Sequence, residues 1–240
     1  MHATTTRHAR VGNAAATAAW AAGYEEVMVD LGTGDGRFVY DQARRCPGWA
    51  VIGVDTCLGN LRRSARSTPD NARFVVADGL ALPRELHRLA TAATINFPWG
   101  SLLAGLLDGD EGLLTGLRAV GRDGMSLAVR LNAGALAAAG WELEAAGERV
   151  VTTLRHAGLS VGPIRAMGSR TLRDLPTTWA KRLAFGRDPR AIEMTAVLAE
   201  RGDAGHRDCA IPASLGRRGR SSGGIVAGRR EREGRLDAGR

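Results

Sequence analysis

Residues 25–36 read EEVMVDLGTGDG, and this stretch decides the fold. The apolar, β-branched run from Val27 to Leu31 has the pattern of a strand buried on both faces. It ends in a turn built on Gly32, Gly34 and Gly36, after which RFVYDQARRC continues with helical spacing. The rhythm then repeats. AVIGVDT (50–56) reads as a second strand, and residues 57–68 as a helix with Arg62, Arg63 and Arg66 on its exposed side. ARFVVADG (72–79) is a third strand, ELHRLA a short helix, and TAATINF (91–97) a fourth strand closed by Pro98. Residues 101–120 form an apolar helix broken at DGDEG, followed by a fifth strand, MSLAVRLN (125–132). GWELEAAGERVVTTLRHAGL (140–159) is an amphipathic helix with Gly158 at its C-terminal cap. SVGPIRAMG and RAIEMTAVLAE (190–200) supply the last two strands, joined through a loop, LPTTWAKRLAFGRDP. This alternation predicts an α/β fold: a mainly parallel seven-stranded sheet with helices on both faces, in one domain over residues 23–200.

The totals narrow the classes of function. At 44% hydrophobic residues the 240-residue chain can build an ordinary core, and at 5% aromatics each aromatic position carries information. Apolar runs such as SLLAGLL fall short of the roughly 18–20 residues of a membrane span. The N-terminal residues MHATTTRHARVGN lack the apolar segment of a secretory signal. Cys46, Cys57 and Cys209 form no disulfide or zinc spacing, and the five histidines are scattered, so a cytoplasmic protein without a metal is expected. The net charge of +8 suggests a polyanionic partner, but residues 201–240 hold ten arginines against five acids and so carry +5 of it. That Gly/Arg-rich tail reads as disordered, and residues 1–22 as a partly ordered, Ala-rich extension of helical appearance.

In a parallel sheet, ligands bind at the carboxyl ends of the strands, where the strand order switches. The loop Gly32-Thr33-Gly34-Asp35-Gly36 sits there, with Asp30 on the strand before it. Asp55 ends the second strand, 23 residues after Gly32, where an acid can accept hydrogen bonds from both hydroxyls of a ribose. The spacing departs from the GxGxxG of dinucleotide sites, and the acids Asp30 and Asp35 would repel a pyrophosphate. They suit a cofactor with a positively charged amino-acid end. Together with Asp78 on the third strand, this is the pattern of a Rossmann-like class I enzyme dependent on S-adenosyl-L-methionine (SAM), with S-adenosyl-L-homocysteine as product.

VDLGTGDG, NFPWGSLL and TTWAKRL together resemble the aminoglycoside-resistance 16S rRNA (adenine-N1) methyltransferases over roughly residues 25–200. That family modifies adenine 1408 in the decoding site of the 30S ribosomal subunit. The resemblance implies that Asp30, Gly32, Thr33, Gly34, Gly36, Asp55 and Thr56 hold SAM, with Gly79 and Leu80 beside its adenine next to Asp78. Asn96, Phe97, Trp99, Ser101 and Thr178 would complete the site. Trp99 and Trp179 would hold the target base, and Arg182 and Arg187 would grip rRNA; apart from the resemblance, the basic runs Arg62, Arg63, Arg66 and Lys181, Arg182, Arg187 flank the expected pocket and suit phosphate contacts. The enzyme is expected to act as a monomer. Related enzymes begin with a β-hairpin, which the Ala-rich start of this chain does not suggest, and the Arg-rich tail has no expected counterpart.

The chemistry is consistent with these residues. Adenine N1 offers a lone pair with no proton to remove, so alignment suffices and no general base is needed. A base inside a helix must be extruded to expose N1. An aromatic face contributes roughly 1–3 kcal/mol per stacked base, and it favours the positive charge that N1 methylation leaves. Asn96-Phe97-Pro98-Trp99 admits a rival, methylation of an exocyclic amine held by the Asn side chain. Either tryptophan could instead be a core residue. A small-molecule methyltransferase, or a nucleic-acid-binding protein without catalysis, are the other readings. Trp20, Trp49 and Trp141 read as structural.

Overall fold

The computed structural model describes residues 11–65, 68–185 and 189–200, with all their side chains except those of residues 62–65. The expectations for residues 1–10, for the tail from 201 and for Arg66 and Arg187 lie outside the described residues, as do the side chains of Arg62 and Arg63.

Strand β2 (Glu26–Leu31) lies inside the sheet, between β3 (Trp49–Asp55) and β5 (Ala90–Asn96). Beyond β3 come β4 (Ala72–Val76) and β1 (Val11–Gly12), all parallel. Beyond β5 comes β6 (Gly121–Asn132), also parallel. β9 (Ala191–Leu198) then pairs antiparallel with β6, and with both β7 (Leu159–Val161) and β8 (Arg165–Ala166). The chain leaves β2 for β3 on one side and returns to β5 on the other, so the order reverses at β2. From Val27 to Leu31 no residue is more than 2% exposed, and the one charged residue in that run is Asp30. A strand buried on both faces explains the continuous apolar run seen in the sequence.

The two faces carry unequal cores. One is continuous, formed by α1 (Ala14–Ala21), α4 (Gly100–Asp108), α5 (Glu111–Val120), α6 (Ala133–Ala138) and α7 (Leu143–His156) on residues such as Val29, Ile95 and Val129. The opposite face is split. α2 (Arg37–Arg45) and α3 (Leu58–Ala65) cover Met28, Val51 and Ala92. α8 (Ser169–Asp174) and α9 (Thr178–Phe185) cover Phe97 and Ala191. Because side chains alternate along a strand, Asp30, Thr94 and Asn96 share this second face and fall between the two clusters. That polar gap is where a site can form.

Among the described residues, β2 to β6, β9 and the break at DGDEG agree with the sequence reading. Gly109, at φ +78°, ends α4, and the Asp110 carboxylate accepts from the Leu113 N–H (2.8 Å) to start α5. Other expectations are corrected. The segment read as a loop, 175–189, contains helix α9: the Thr177 hydroxyl accepts from the Ala180 N–H (2.9 Å) as an N-cap, and Ala180 and Leu183 turn into the core. SVGPIRAMG is not one strand, because Pro163 has no N–H to donate and divides it into β7 and β8. ELHRLA forms only a single turn of 3-10 helix, Arg84–Leu86. The N-terminal extension does contain a helix, α1, but Val11–Gly12 before it joins the sheet edge against β4. α6 was not anticipated. Trp20, Trp49 and Trp141 pack against the cores, Trp20 with the Arg73 guanidinium 4.5 Å from its ring centre.

Candidate active site

At the carboxyl ends of β2, β3, β4 and β5 lies a cleft of about 450 Å³. Its floor is the glycine loop. Gly32 takes φ +70°, a left-handed backbone conformation that favours glycine. Gly34, at φ +56°, has open space where a Cβ would stand. Its N–H donates to Asp55 Oδ2 (2.9 Å), while the Cys57 N–H donates to Oδ1 (2.8 Å). Two backbone donors fix the Asp55 carboxylate, and each oxygen keeps a lone pair for a further donor. Asp78 is held in the same way by the Leu80 N–H (2.9 Å).

Asp30 is the buried acid of the site. Its Oδ1 accepts from the Thr94 hydroxyl (2.7 Å) and from the Asn96 amide (2.9 Å). Burial pushes its carboxyl up from the usual 3.8 to about 6, partly offset by those hydrogen bonds and by the Arg130 charge. The Asn96 oxygen accepts from Arg130 Nη1 (2.7 Å) and keeps a second lone pair. The reversed amide would set oxygen against carboxylate and NH2 against guanidinium, so the neighbours determine its orientation. Asp30 and Arg130 thus fix the orientation of the Asn96 side chain at the edge of the cleft.

The turn after β5 explains Trp99. Phe97 adopts φ +52°, a strained conformation for a side chain of its size, and is held there because its ring is buried in the α8–α9 core. The chain therefore reverses at Pro98 and throws Trp99 outward, 41% exposed, immediately before α4. From the other side α9 presents Trp179, 36% exposed. The two rings stack on each other with centroids 5.1 Å apart and planes at 28°, and the Arg182 guanidinium lies 5.1 Å from the Trp179 ring centre. The Thr178 hydroxyl donates to Asp35, tying α9 to the glycine loop.

Most of the anticipated site residues meet in this cleft. Asp30, Gly32, Thr33, Gly34, Asp55 and Thr56 line it from one half of the sheet. Asp78, Gly79, Asn96, Phe97, Trp99 and Ser101 line it from the β4 and β5 ends, and Thr178, Trp179 and Arg182 from α9. Gly36 does not line it and instead stands at the start of α2. Leu80 packs against the main core, and Lys181 is exposed beside the cleft. Phe38, Asn60, Leu102 and Thr177 line it without having been singled out; Leu102 and Thr177 adjoin residues that were.

The residues present fit SAM. The Thr33 hydroxyl is buried in the cleft without a hydrogen-bond partner, Asp30 and Asp35 offer negative charge, and Asp55 has acceptor capacity to spare. Among the described residues no group of three or more His, Cys, Asp or Glu side chains could hold a metal ion. No described helix is long and apolar enough to cross a membrane.

A parallel sheet with an antiparallel edge, an acid-tipped β2, the glycine loop and the β3 acid define a class I SAM-dependent methyltransferase. The family model described as NpmA: 16S rRNA (adenine(1408)-N(1))-methyltransferase matches residues 7–198, and the chain belongs to that family. The 16S rRNA (adenine(1408)-N(1))-methyltransferase of Streptoalloteichus tenebrarius is 30% identical over 179 residues, 69% of this chain and 83% of that protein. A crystal structure of a mutant of the enzyme of that name from Catenulisporales acidiphilia, with cosubstrate SAM, superposes with a TM-score of 0.69 at 27% identity. It covers 80% of this chain and 94% of its own. The antibiotic-resistance methyltransferase Kmr superposes with a TM-score of 0.63 at 32% identity, over 79% and 94% of the two chains.

Proposed function

We propose that this chain methylates N1 of adenine 1408 of 16S rRNA within the 30S subunit, extruding the base and stacking it between Trp99 and Trp179. The observation that carries this reading is the meeting of these two exposed rings, 80 positions apart in sequence, over an acidic cleft shaped for SAM. SAM supplies an electrophilic methyl group on a sulfonium and leaves as S-adenosyl-L-homocysteine.

The residues divide the work. Asp30 and the glycine loop hold the cationic amino-acid end of the cofactor, Asp55 the ribose hydroxyls, and Asp78 with Gly79 the adenine side. Trp99 and Trp179 orient the target ring so that its N1 lone pair points into the cleft, and their faces favour the charge that develops on it. Such alignment can lower the barrier by roughly 7–11 kcal/mol, and the cleft needs no general base because N1 carries no proton. The rings stack on one another at 5.1 Å, whereas two carbon contacts on either side of a base need roughly 7 Å. The base therefore parts the pair as it enters. Arg182 and Lys181 on α9, with Arg62, Arg63, Arg66 and Arg187, contact rRNA phosphates, making binding dependent on salt.

A methyl group and a positive charge at adenine 1408 obstruct drugs that hydrogen-bond that base, giving aminoglycoside resistance. The catalytic unit takes in β1 and α1 together with residues 23–200, and acts as a cytoplasmic monomer. Methyl transfer from labelled SAM to 30S subunits and to free 16S rRNA, with the product mapped by reverse transcription, tests the proposal. A stop at adenine 1408, stronger on the subunit, is expected; SAM binding without transfer to either substrate would overturn it.

A further inference from the structure

A line of polar side chains crosses the sheet from the cofactor cleft to its antiparallel edge. Asp30 on β2 stands in register with Thr94 on β5, Asn96 on β5 with Arg130 on β6, and Arg130 with Glu193 on β9. The contacts follow the register. Thr94 and Asn96 donate to Asp30, Arg130 Nη1 donates to the Asn96 oxygen (2.7 Å), and Arg130 Nε donates to Glu193 Oε2 (2.5 Å). Arg130 is 14% exposed and Glu193 27%. Neither lines the cleft, and neither has a role in the proposed reaction.

We propose that Arg130 and Glu193 are positioning residues for the SAM site: Arg130 fixes the Asn96 amide so that it donates to Asp30, its charge favours the anionic carboxylate, and Glu193 holds Arg130 and tempers that charge. This rests on Asp30 holding the cationic end of SAM. The physical need is plain. A carboxylate almost fully buried between strands resists ionisation, and only an anionic Asp30 attracts an ammonium group. Its own two donors are neutral, so the positive charge reaching it through Asn96 is what a neutral network lacks. An Arg without Glu193 would act on Asp30 more strongly and be less well held. The groups packed around Asp30 are Thr33 from the glycine loop, Thr94 and Asn96 from β5, and Arg130 from β6. Asp35, Asp55, Asp78 and Arg182 are the other charged groups of the cleft, and they are common to all the variants below.

The two substitutions predict opposite signs. Arg130→Met removes the favourable charge, so the Asp30 carboxyl titrates higher than in the native protein, and Glu193→Gln leaves Arg130 less neutralised, so it titrates lower. Carbon-13 NMR of the Asp30 carboxyl in the cofactor-free protein, assigned with Asp30→Asn, reads the titration directly. Calorimetric SAM binding between pH 5 and 8.5 reads its consequence. With Arg130→Met, the pH below which SAM affinity falls off moves upward with the Asp30 midpoint, because a larger protonated fraction appears at a given pH than in the native site. Arg130→Lys restores part of the midpoint, since it keeps the charge. If Arg130→Met does not fold, the downward shift in Glu193→Gln decides alone. Midpoints unmoved in the folded variants would overturn the proposal. Midpoints that move while SAM affinity ignores pH would leave the relay standing and instead refute Asp30 as the site of the cationic end.

Discussion

Truncating the two tryptophans singly and together separates a base clamp from a pair of surface rings. A stacked base contributes roughly 1–3 kcal/mol per aromatic face, and the Trp99–Trp179 contact it displaces is worth roughly 0.5–1.5 kcal/mol. Taking about 2 for each face and about 1 for the pair, the intact clamp holds the base by about 3 kcal/mol and one tryptophan alone by about 2. Trp99→Ala or Trp179→Ala then costs about 1 kcal/mol, roughly fivefold in kcat/KM, because losing a face also removes the contact the base must break. The double variant costs about 3 kcal/mol, roughly 150-fold. It therefore exceeds the sum of the singles by about 1 kcal/mol, the worth of the self-stack. The assay is methyl transfer to 30S subunits at saturating SAM, with melting temperature as control. Either single variant should lose about the 1 kcal/mol of the self-stack in stability, and the double variant little more, far less than its kinetic loss. Strictly additive losses would refute a self-stacked resting clamp, and unchanged kinetics would refute the clamp itself.

Further outcomes follow from the same geometry. Burial raises the Asp30 carboxyl from 3.8 to about 6, so the contribution of Asp30 to stability is greatest below about pH 4, declines up to about pH 6 and is level above. Asp30→Asn should thus raise thermal stability at pH 7, by up to about 3 kcal/mol, with the gain vanishing in acid while SAM binding is lost; melting curves from pH 3.5 to 8 with SAM titrations check both. Thr177→Ala removes the N-cap of α9 and should cost about 1 kcal/mol in a denaturant titration, with activity falling as Trp179 loses its support. Phe97→Ala leaves a hole in the core under the Pro98 turn and should cost about 3 kcal/mol or more, read from chemical denaturation, whereas Trp99→Ala should not.

The legible parts of this molecule were those encoded locally. A fully buried strand, a glycine turn and an acid at the next strand's end are each written in fewer than ten residues, so Asp30, Gly32, Gly34 and Asp55 could be placed before any coordinates. The α8–α9 hairpin was not legible in that way. Its buried stripe is a few side chains, Leu172, Ala180 and Leu183, too short for a period to show, and its start depends on one threonine cap. Trp179 was anticipated by resemblance, yet its stacking on Trp99 depends on the strained backbone of Phe97, which no propensity announces. Arg130 and Glu193 were invisible for a different reason. They matter through register across β5, β6 and β9, and register between strands far apart in sequence is a tertiary fact.

The central claim is the atom that receives the methyl group. The most direct measurement is mass spectrometry of nucleosides from 30S subunits treated with the enzyme and SAM, digested at neutral pH and resolved by chromatography. The account predicts 1-methyladenosine, present with the native protein and sharply reduced with the Trp99→Ala/Trp179→Ala double variant. N6-methyladenosine at that step would mean that the cleft presents an exocyclic amine, contradicting N1 as the atom that receives the methyl group.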